Sequence, residues 1–389
     1  MSVTAAKGFV AAGVSAGIKA SGDPDLSLVA TASGEPVPAA AVFTSNKMTA
    51  APVLTSHAHL TATGGHAAAV ILNSGNANAA NGTVGREHAE RMTEAVANHL
   101  HLSAEDVLVC STGLIGIPLP VELIEDAVPA LLAARTDGPE AGAAAAEAIR
   151  TTDTARKEAA ARAGAATVGG MAKGAAMLAP NMATMLAVLT TDADVDPVTL
   201  RRLLAAAVDG SFNVLTTDGC TSTNDTVIIL ASGVAGPVTD DALGAAIAEV
   251  CGSLAAQMAG DAEGATKVVR LEVTGAATDA EAAIAARKIA ESQLVKCSWY
   301  GLDPYWGRLA SEAGSAGVTF EQHLVAVAYG GVTVAAGGVG IEHDAEAVAA
   351  HMAGRHLDVL VDLGVGTGRA HVLTNDLTHA YIDENMGTS

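Results

Sequence analysis

Residue types that do chemistry stand close together in KGAAMLAPNMATMLAVLTTDAD (173–194), near the middle of the 389 residues. Lys173 follows a Gly-rich run, and Thr184 heads an apolar, β-forming run after Pro180, Asn181 and Ala183. Elsewhere hydroxyls, asparagines and acids collect at the ends of apolar runs. These clusters are NSGNANAANG (73–82), CSTGLIG (110–116), RTTDT (150–154), AKG (172–174), DGCTSTNDT (218–226), DAEGATK (261–267), GLDPYWGR (301–308) and DENMGTS (383–389). One such cluster is a turn. So many together suggest convergence on a pocket, because strand-end loops carry sites in layered folds.

The groups on offer are hydroxyls, a lysine, a glutamate, asparagines and backbone amides. A threonine hydroxyl is a weak nucleophile without a base, and no histidine stands where it would serve. The α-amino group of the same residue can serve, since its pKa of about 8 lies near working pH. Freeing that amine means cutting the peptide bond before the threonine. A hydroxyl can do so by an N-to-O acyl shift onto its preceding carbonyl when the backbone is strained, and a Pro-Asn turn with a small Ala183 suits that. On this stretch alone the plain reading is stronger: a loop, then a core strand with Thr184 as an ordinary β-branched residue.

Composition narrows the field. The net charge is -21, from 42 acidic and 21 basic residues, and no basic stripe appears, which argues against nucleic acid. Cys110, Cys220, Cys251 and Cys297 show no CxxC spacing, arguing against a zinc ribbon or a disulfide framework and fitting a reducing cytoplasm. The twelve histidines form no metal-binding pattern, so no metal is expected. GGMAKG (169–174) lacks P-loop spacing, and GVGTG (364–368) is followed by a strand pattern, so it reads as a hairpin turn. GFVAAGVSAGI (8–18) mimics a short signal core, but its glycines break it and it reads as strand and turn. No apolar run approaches the ~20 residues of a membrane span.

These clusters need a framework to hold them. Residues 8–54 read as short strands, and 67–82 and 106–116 as apolar strands ending in polar clusters. Helices are expected over 86–100, within 121–150, from Asp196-Pro197 to about 208, and over 240–260 and 278–292. Strands are expected over 226–233 and 267–275, and the C-terminal third alternates like antiparallel hairpins. The mixture is α/β (α+β) in layers. With 3 % aromatic residues, the core must be packed from small aliphatics.

Together the clusters closely resemble the ornithine acetyltransferase family of arginine biosynthesis, over nearly the whole chain. The resemblance rests on NSGNANA, CSTGLIG, TTD (151–153), GGMAKGAAMLAPNMATML (169–186), TSTNDT (221–226), DAEGATK and GLDPYWGR. It implies an αββα-type, N-terminal-nucleophile-like fold, cleaved between Ala183 and Thr184 into two interleaved chains, 1–183 and 184–389. It implies a cytoplasmic enzyme assembled from those chains as a heterotetramer or larger oligomer. Thr184 is then the nucleophile, with Thr112 and Gly113 as the oxyanion hole. Thr151, Lys173, Thr184 and Glu263 contact the amino-acid substrate, Lys173 suiting a carboxylate and Glu263 an ammonium. Asn385 and Ser389 close the pocket. N-acetylornithine and glutamate are the implied substrates, and no cofactor is implied. Acetyl-CoA serves some members as a second acetyl donor, and these motifs do not divide the two kinds.

The chain departs from the family pattern in three places. Tyr305 stands where the family usually has Asn. The tail ENMGTS is slightly shorter and lacks a Tyr, which leaves Thr388 as an alternative to Ser389. CSTGLIGIPLP and the segment around 155–166 also vary, both read as loops. Tyr305 and the tail motivate another enzymatic reading, a paralogue or amidohydrolase acting on a different acylated amino acid. A scaffold that never cuts itself is the remaining alternative.

Overall fold

Apolar runs punctuated by glycine become strands, and Ala-rich amphipathic runs become helices, as the sequence pattern expects. A computed structural model of the chain describes residues 2–176 and 185–386. Two compact units emerge, Met1–Asn213 with Cys220–Met258, and Val214–Gly219 with Ala259–Ser389.

In chain order the first unit contains β1 (Phe9–Val14), β2 (Leu26–Thr31), β3 (Val37–Phe43), α1 (Ala51–Ala62), β4 (His66–Ala67), β5 (Ala69–Asn76), α2 (Gly82–Leu100) and β6 (Val107–Leu114). It continues with α3 (Val121–Ala134), α4 (Pro139–Ala148), β7 (Lys157–Ala163), β8 (Ala166–Lys173), β9 (Leu186–Asp194), α5 (Pro197–Asp209), β10 (Thr226–Pro237) and α6 (Asp240–Gly260). The described residues form one sheet of order β1-β2-β5-β6 and a second of order β4-β3-β10-β9-β8-β7. The sheets meet face to face over Phe9, Val70, Leu72, Leu108, Met171, Leu186, Val188 and Ile228. The outer face of the first sheet packs on α2 and α3 through Leu28, Ile71, Met92, Val96, Ile124 and Leu131. On the second sheet a glycine lets α6 approach closely: a Cβ at Gly170 would lie 2.9 Å from Val250 Cγ1. The result is helix–sheet–sheet–helix layering built from Val, Leu, Ile and Ala.

Local chemistry sets several boundaries. Asp196 accepts from the Val198 and Thr199 amides with Pro197 next in sequence, so α5 begins where the Asp-Pro pair puts it, a cap worth about 1 kcal/mol. Helix α6 is long and apolar enough by composition to cross a membrane, but Ile247, Val250, Leu254 and Met258 are fully buried in the protein. The segment around 155–166 is not a loop: Lys157–Ala163 is strand β7, paired residue for residue with β8. Its inward residues are Lys157, Ala159, Ala161 and Ala163. Alanine has little β-propensity, so this alternation is faint in the sequence.

The second unit holds β11 (Val268–Ala276), α7 (Asp279–Ala290), α8 (Gln293–Tyr300), α9 (Trp306–Gly314), β12 (Ala326–Tyr329), β13 (Val332–Ala336) and β14 (Val339–Gly340). Then follow α10 (Ala345–Ala353), β15 (His356–Asp362), β16 (Gly368–Asn375) and α11 (His379–Asn385). Its sheet runs β14-β13-β12-β15-β11-β16, with Leu271, Val273, Trp299, Tyr329, Val359 and Val361 in its core. β12 and β13 form the expected hairpin. GVGTG does not: β11 lies between β15 and β16, so the loop at 364–368 bridges across a strand end. The Val365 and Gly366 amides both donate to Gly275 O, at 2.7 and 2.9 Å, closing the loop over the end of β11.

Candidate active site

The oxyanion-hole candidates sit where β5 and β6 end side by side. These strands pair in parallel from Ala69↔Val107 to Gly75↔Gly113, with a bulge at Asn76. Both are apolar until their last residues, where Asn73, Ser74, Ser111 and Thr112 replace the aliphatics, all buried. Gly113 has φ +135°, and a Cβ there would sit 2.3 Å from Gly75 C. Only glycine lets the two strand ends approach this closely. The Thr112 Oγ1 is buried without a hydrogen-bond partner among the described residues. Leaving such a group unmet costs about 1–3 kcal/mol. The corner is braced by Asn76, whose Oδ1 accepts from the Asn78 amide and whose Nδ2 donates to Ile117 O and Pro118 O. Asn224 joins it by donating to Ala77 O (2.6 Å) and Ser111 O (2.8 Å).

Lys173 ends β8, and its neighbours make a buried ionic cluster. Its Nζ donates to Thr151 Oγ1 at 2.7 Å and lies 3.8 Å from Asp153 Oδ2. Asp153 Oδ1 accepts from Lys157 Nζ (2.6 Å) and from the Gly174 amide (2.7 Å). The Thr151 amide donates to Asp153 Oδ2 at 3.2 Å. Asp153, Lys157 and Lys173 are each at most 3 % exposed. Burial works against an ionised Asp153, but the Lys173 and Lys157 ammoniums and these hydrogen bonds outweigh it, holding the carboxyl at about 2. The structure therefore brings Thr151 and Lys173 together. It adds Asp153 and Lys157, to which sequence reading gave no role. The TTD motif and the faint alternation of β7 are the signals that point to them.

The start of β9 lies beside this cluster. Lys173 pairs across the sheet with Leu186, and Leu186 with Thr226 of β10. The Met185 amide donates to Asp225 Oδ1 at 3.0 Å, and Met185 O accepts from the Thr226 amide at 3.2 Å. Burial pushes the Asp225 carboxyl well above the usual carboxylate range, against the opposing Met185 hydrogen bond and Lys173 charge. Thr184, the residue before Met185 in sequence, and Ala183 lie outside the described residues, as do Thr388 and Ser389.

In the second unit, Asn385 Nδ2 donates to Glu263 Oε2 at 2.8 Å and to Tyr381 O at 2.9 Å. This joins two expected site residues that are far apart in sequence. Helix α11 is seated by Thr378, whose Oγ1 donates to Gly264 O at 2.7 Å. The contact is close: a Cβ at Gly264 would meet Tyr381 N at 2.3 Å. Lys267 of the same DAEGATK motif donates to Met352 O, Ala353 O and Gly354 O, so it caps the C-terminus of α10. Tyr305 is 54 % exposed, at the start of α9, with the Arg308 guanidinium 5.8 Å from its ring centre.

Among the described residues no group of His, Cys, Asp or Glu is arranged to hold a metal ion, and all four cysteines are free thiols. The arrangement offers a glycine-bearing strand-end corner with a buried unmet hydroxyl, an ammonium held beside a carboxylate, and a strand start paired to the strand that carries that ammonium. Those parts suit acyl transfer.

Comparison with known proteins shows the family. The ArgJ family model matches residues 10–387. The arginine biosynthesis bifunctional protein ArgJ of Streptomyces avermitilis is 47% identical over 392 residues, covering all of both chains. Its namesake from Mycolicibacterium paratuberculosis is 48% identical over 395 residues, covering all of this chain and 96% of that one. Among solved structures, the ornithine acetyltransferase of Mycobacterium tuberculosis complexed with ornithine is 45% identical, with a TM-score of 0.43. It matches 46% of this chain and 94% of that one.

Proposed function

The chain belongs to the ArgJ family, and from that premise we propose that it moves the acetyl group of N2-acetyl-L-ornithine to L-glutamate. The observation that carries this reading is the strand register Lys173↔Leu186↔Thr226, which sets the end of β8 beside the start of β9. Thr184 precedes that start by two residues in the sequence.

In this proposal Thr184 first cuts the chain. Its hydroxyl attacks the Ala183 carbonyl, the peptide becomes an ester, and water releases chains 1–183 and 184–389. The freed α-amine then takes the hydroxyl proton as Thr184 attacks the acetyl carbonyl. Thr112 and Gly113 receive the oxyanion, a contribution of about 3–4 kcal/mol per preorganised donor. The unmet Thr112 hydroxyl and the enforced Gly113 backbone support that role. The C–N bond breaks, ornithine leaves with the proton, and acetyl-Thr184 remains. The glutamate amine attacks this ester, giving N-acetylglutamate and restoring the hydroxyl. Thr151 and Lys173 hold the substrate carboxylate, Glu263 the ornithine ammonium, and Asn385 with Ser389 closes the pocket. The Thr151–Lys173 and Glu263–Asn385 hydrogen bonds support these pairings.

No cofactor enters this scheme. Acetyl-CoA is proposed as a second donor to Thr184, on the ground that the relatives are named bifunctional. The two chains are proposed to stay together in a heterotetramer or larger assembly in the cytoplasm, where the free thiols stay reduced. Denaturing mass spectrometry tests the scheme. The wild type should give two fragments, one beginning at Thr184, and Thr184→Ala a single uncut chain. An uncut wild-type chain that still transfers acetyl groups would refute self-cleavage.

A further inference from the structure

The tripeptide Thr-Asn-Asp occurs twice, at 223–225 in the first unit and at 374–376 in the second. Both copies do the same local work. The Asn224 amide bridges two backbone carbonyls and Asp225 accepts a backbone amide, at the strand ends described above. In the second copy Asn375 Nδ2 donates to Ala259 O (2.8 Å) and Lys267 O (2.9 Å). Asp376 Oδ1 accepts the Thr266 and Lys267 amides, each at 2.9 Å, and its Oδ2 accepts the Thr266 hydroxyl. The buried Lys296 donates to Thr374 Oγ1 and Asn375 O and so fixes this strand end in turn.

What these bonds hold is the loop between α6 and β11, the loop that carries Glu263. Asn375 ties its two ends, Asp376 grips its last residues, and Thr378 Oγ1 donates to Gly264 O in its middle. Buried backbone groups need partners in any protein, so these bonds alone show a structural role. A second observation goes beyond it. Thr378 also caps α11 by accepting the Tyr381 amide at 3.1 Å, and α11 carries Asn385. Glu263 and Asn385 are therefore both held by one short segment, 375–378.

The chemistry of the pair gives that shared support a purpose. Asn385 uses its Nδ2 on Glu263 Oε2 and Tyr381 O, which leaves its carbonyl oxygen and Glu263 Oε1 as acceptors. An ammonium carries three N–H donors and no acceptor. It is held well when its acceptors stand at a fixed spacing, and side chains on a loop and a short helix keep that spacing when one frame supports both. Of the two proposed substrates, only acetylornithine carries an ammonium on its side chain.

Resting on the proposed function, we propose that Asp376 and Thr378 are positioning residues for the donor's side-chain ammonium. They hold the Glu263 carboxylate and the Asn385 amide in one frame, and so set the preference for a donor with a cationic side chain. Neither touches the substrate.

Steady-state kinetics with both natural substrates test this, because in a ping-pong reaction each kcat/KM reports its own half-reaction. Asp376→Ala should lower kcat/KM for N2-acetylornithine tenfold or more, mainly through KM, and change kcat/KM for glutamate by less than about twofold. If Asp376→Ala does not fold, Thr378→Val, which removes one hydroxyl and keeps the shape, carries the same expectation. Thr378→Ser, which keeps the hydroxyl, should retain the wild-type value for acetylornithine. No change for acetylornithine, or a loss for glutamate as large as that for acetylornithine, would mean that these residues are structural and overturn the inference while the proposed function stands. A wild type that makes no N-acetylglutamate from these substrates would overturn the proposed function, and this inference with it.

Discussion

The two units hold their expected site residues in opposite ways. In the first, Lys173 is fixed by strand pairing, a hydroxyl and a carboxylate that a second lysine holds in turn. In the second, Glu263 leans on one amide from α11, a helix of seven residues near the end of the chain. The first arrangement is over-determined and costly to ionise wrongly. The second is one neutral-to-charged hydrogen bond seated on a tight backbone contact at Gly264. In the proposed scheme the two have separate duties, Lys173 holding a group common to both substrates and Glu263 the group in which they differ.

That contrast can be broken by substitution. Lys173→Met should lower kcat/KM about a hundredfold or more, since removing one partner of a buried charge pair costs about 2–5 kcal/mol. Steady-state kinetics with both substrates would check it. Asp153→Asn should be the most destabilising change in the corner, because it leaves two buried ammoniums without their carboxylate. A loss of about 3–5 kcal/mol is expected, lowering Tm by roughly 10 °C in a thermal scan. Asn385→Ala should cost about tenfold in kcat/KM and lower Tm by only a few degrees, since it removes one hydrogen bond made by a helix with no buried residues.

A pH series sharpens the same point. Folding holds Asp153 at about 2, below its unfolded value, so its stabilisation is whole above about pH 4 and is lost as pH falls toward 2. The stability gap between wild type and Asp153→Asn should shrink over that window, by about 2 kcal/mol on urea titration. Asp225 works the other way, since a raised carboxyl destabilises the fold as pH rises above its unfolded value. Asp225→Asn should therefore not destabilise the protein at neutral pH as Asp153→Asn does. The smallest effect is expected at Tyr305, an exposed ring that Arg308 covers. Tyr305→Asn should shift stability by less than about 1 kcal/mol and activity by less than about twofold.

Local chemistry made much of this legible. The Asp196-Pro197 cap marks the start of α5, and clusters such as NSGNANA and CSTGLIG mark strand ends that become one corner. That Thr151 and Lys173 are expected together in a site comes only from the family resemblance, and the structure joins them by a hydrogen bond. Two features were hidden for physical reasons. β7 reads KEAAARA, with alanines on both faces and a lysine at the head of the buried one, so Lys157 reads as a surface residue although it is buried. The loop at 364–368 reads as a hairpin because local alternation cannot show that β11, about ninety residues earlier, inserts between β15 and β16.

The central claim is that Thr184 carries the acetyl group, and intact-fragment mass spectrometry of a rapidly quenched reaction tests it directly. With N2-acetylornithine alone, the fragment beginning at Thr184 should gain the mass of one acetyl group, mapped to that residue. Glutamate should then remove it and yield N-acetylglutamate. Turnover with no acetylated fragment, or with the acetyl group on another residue, would contradict the account.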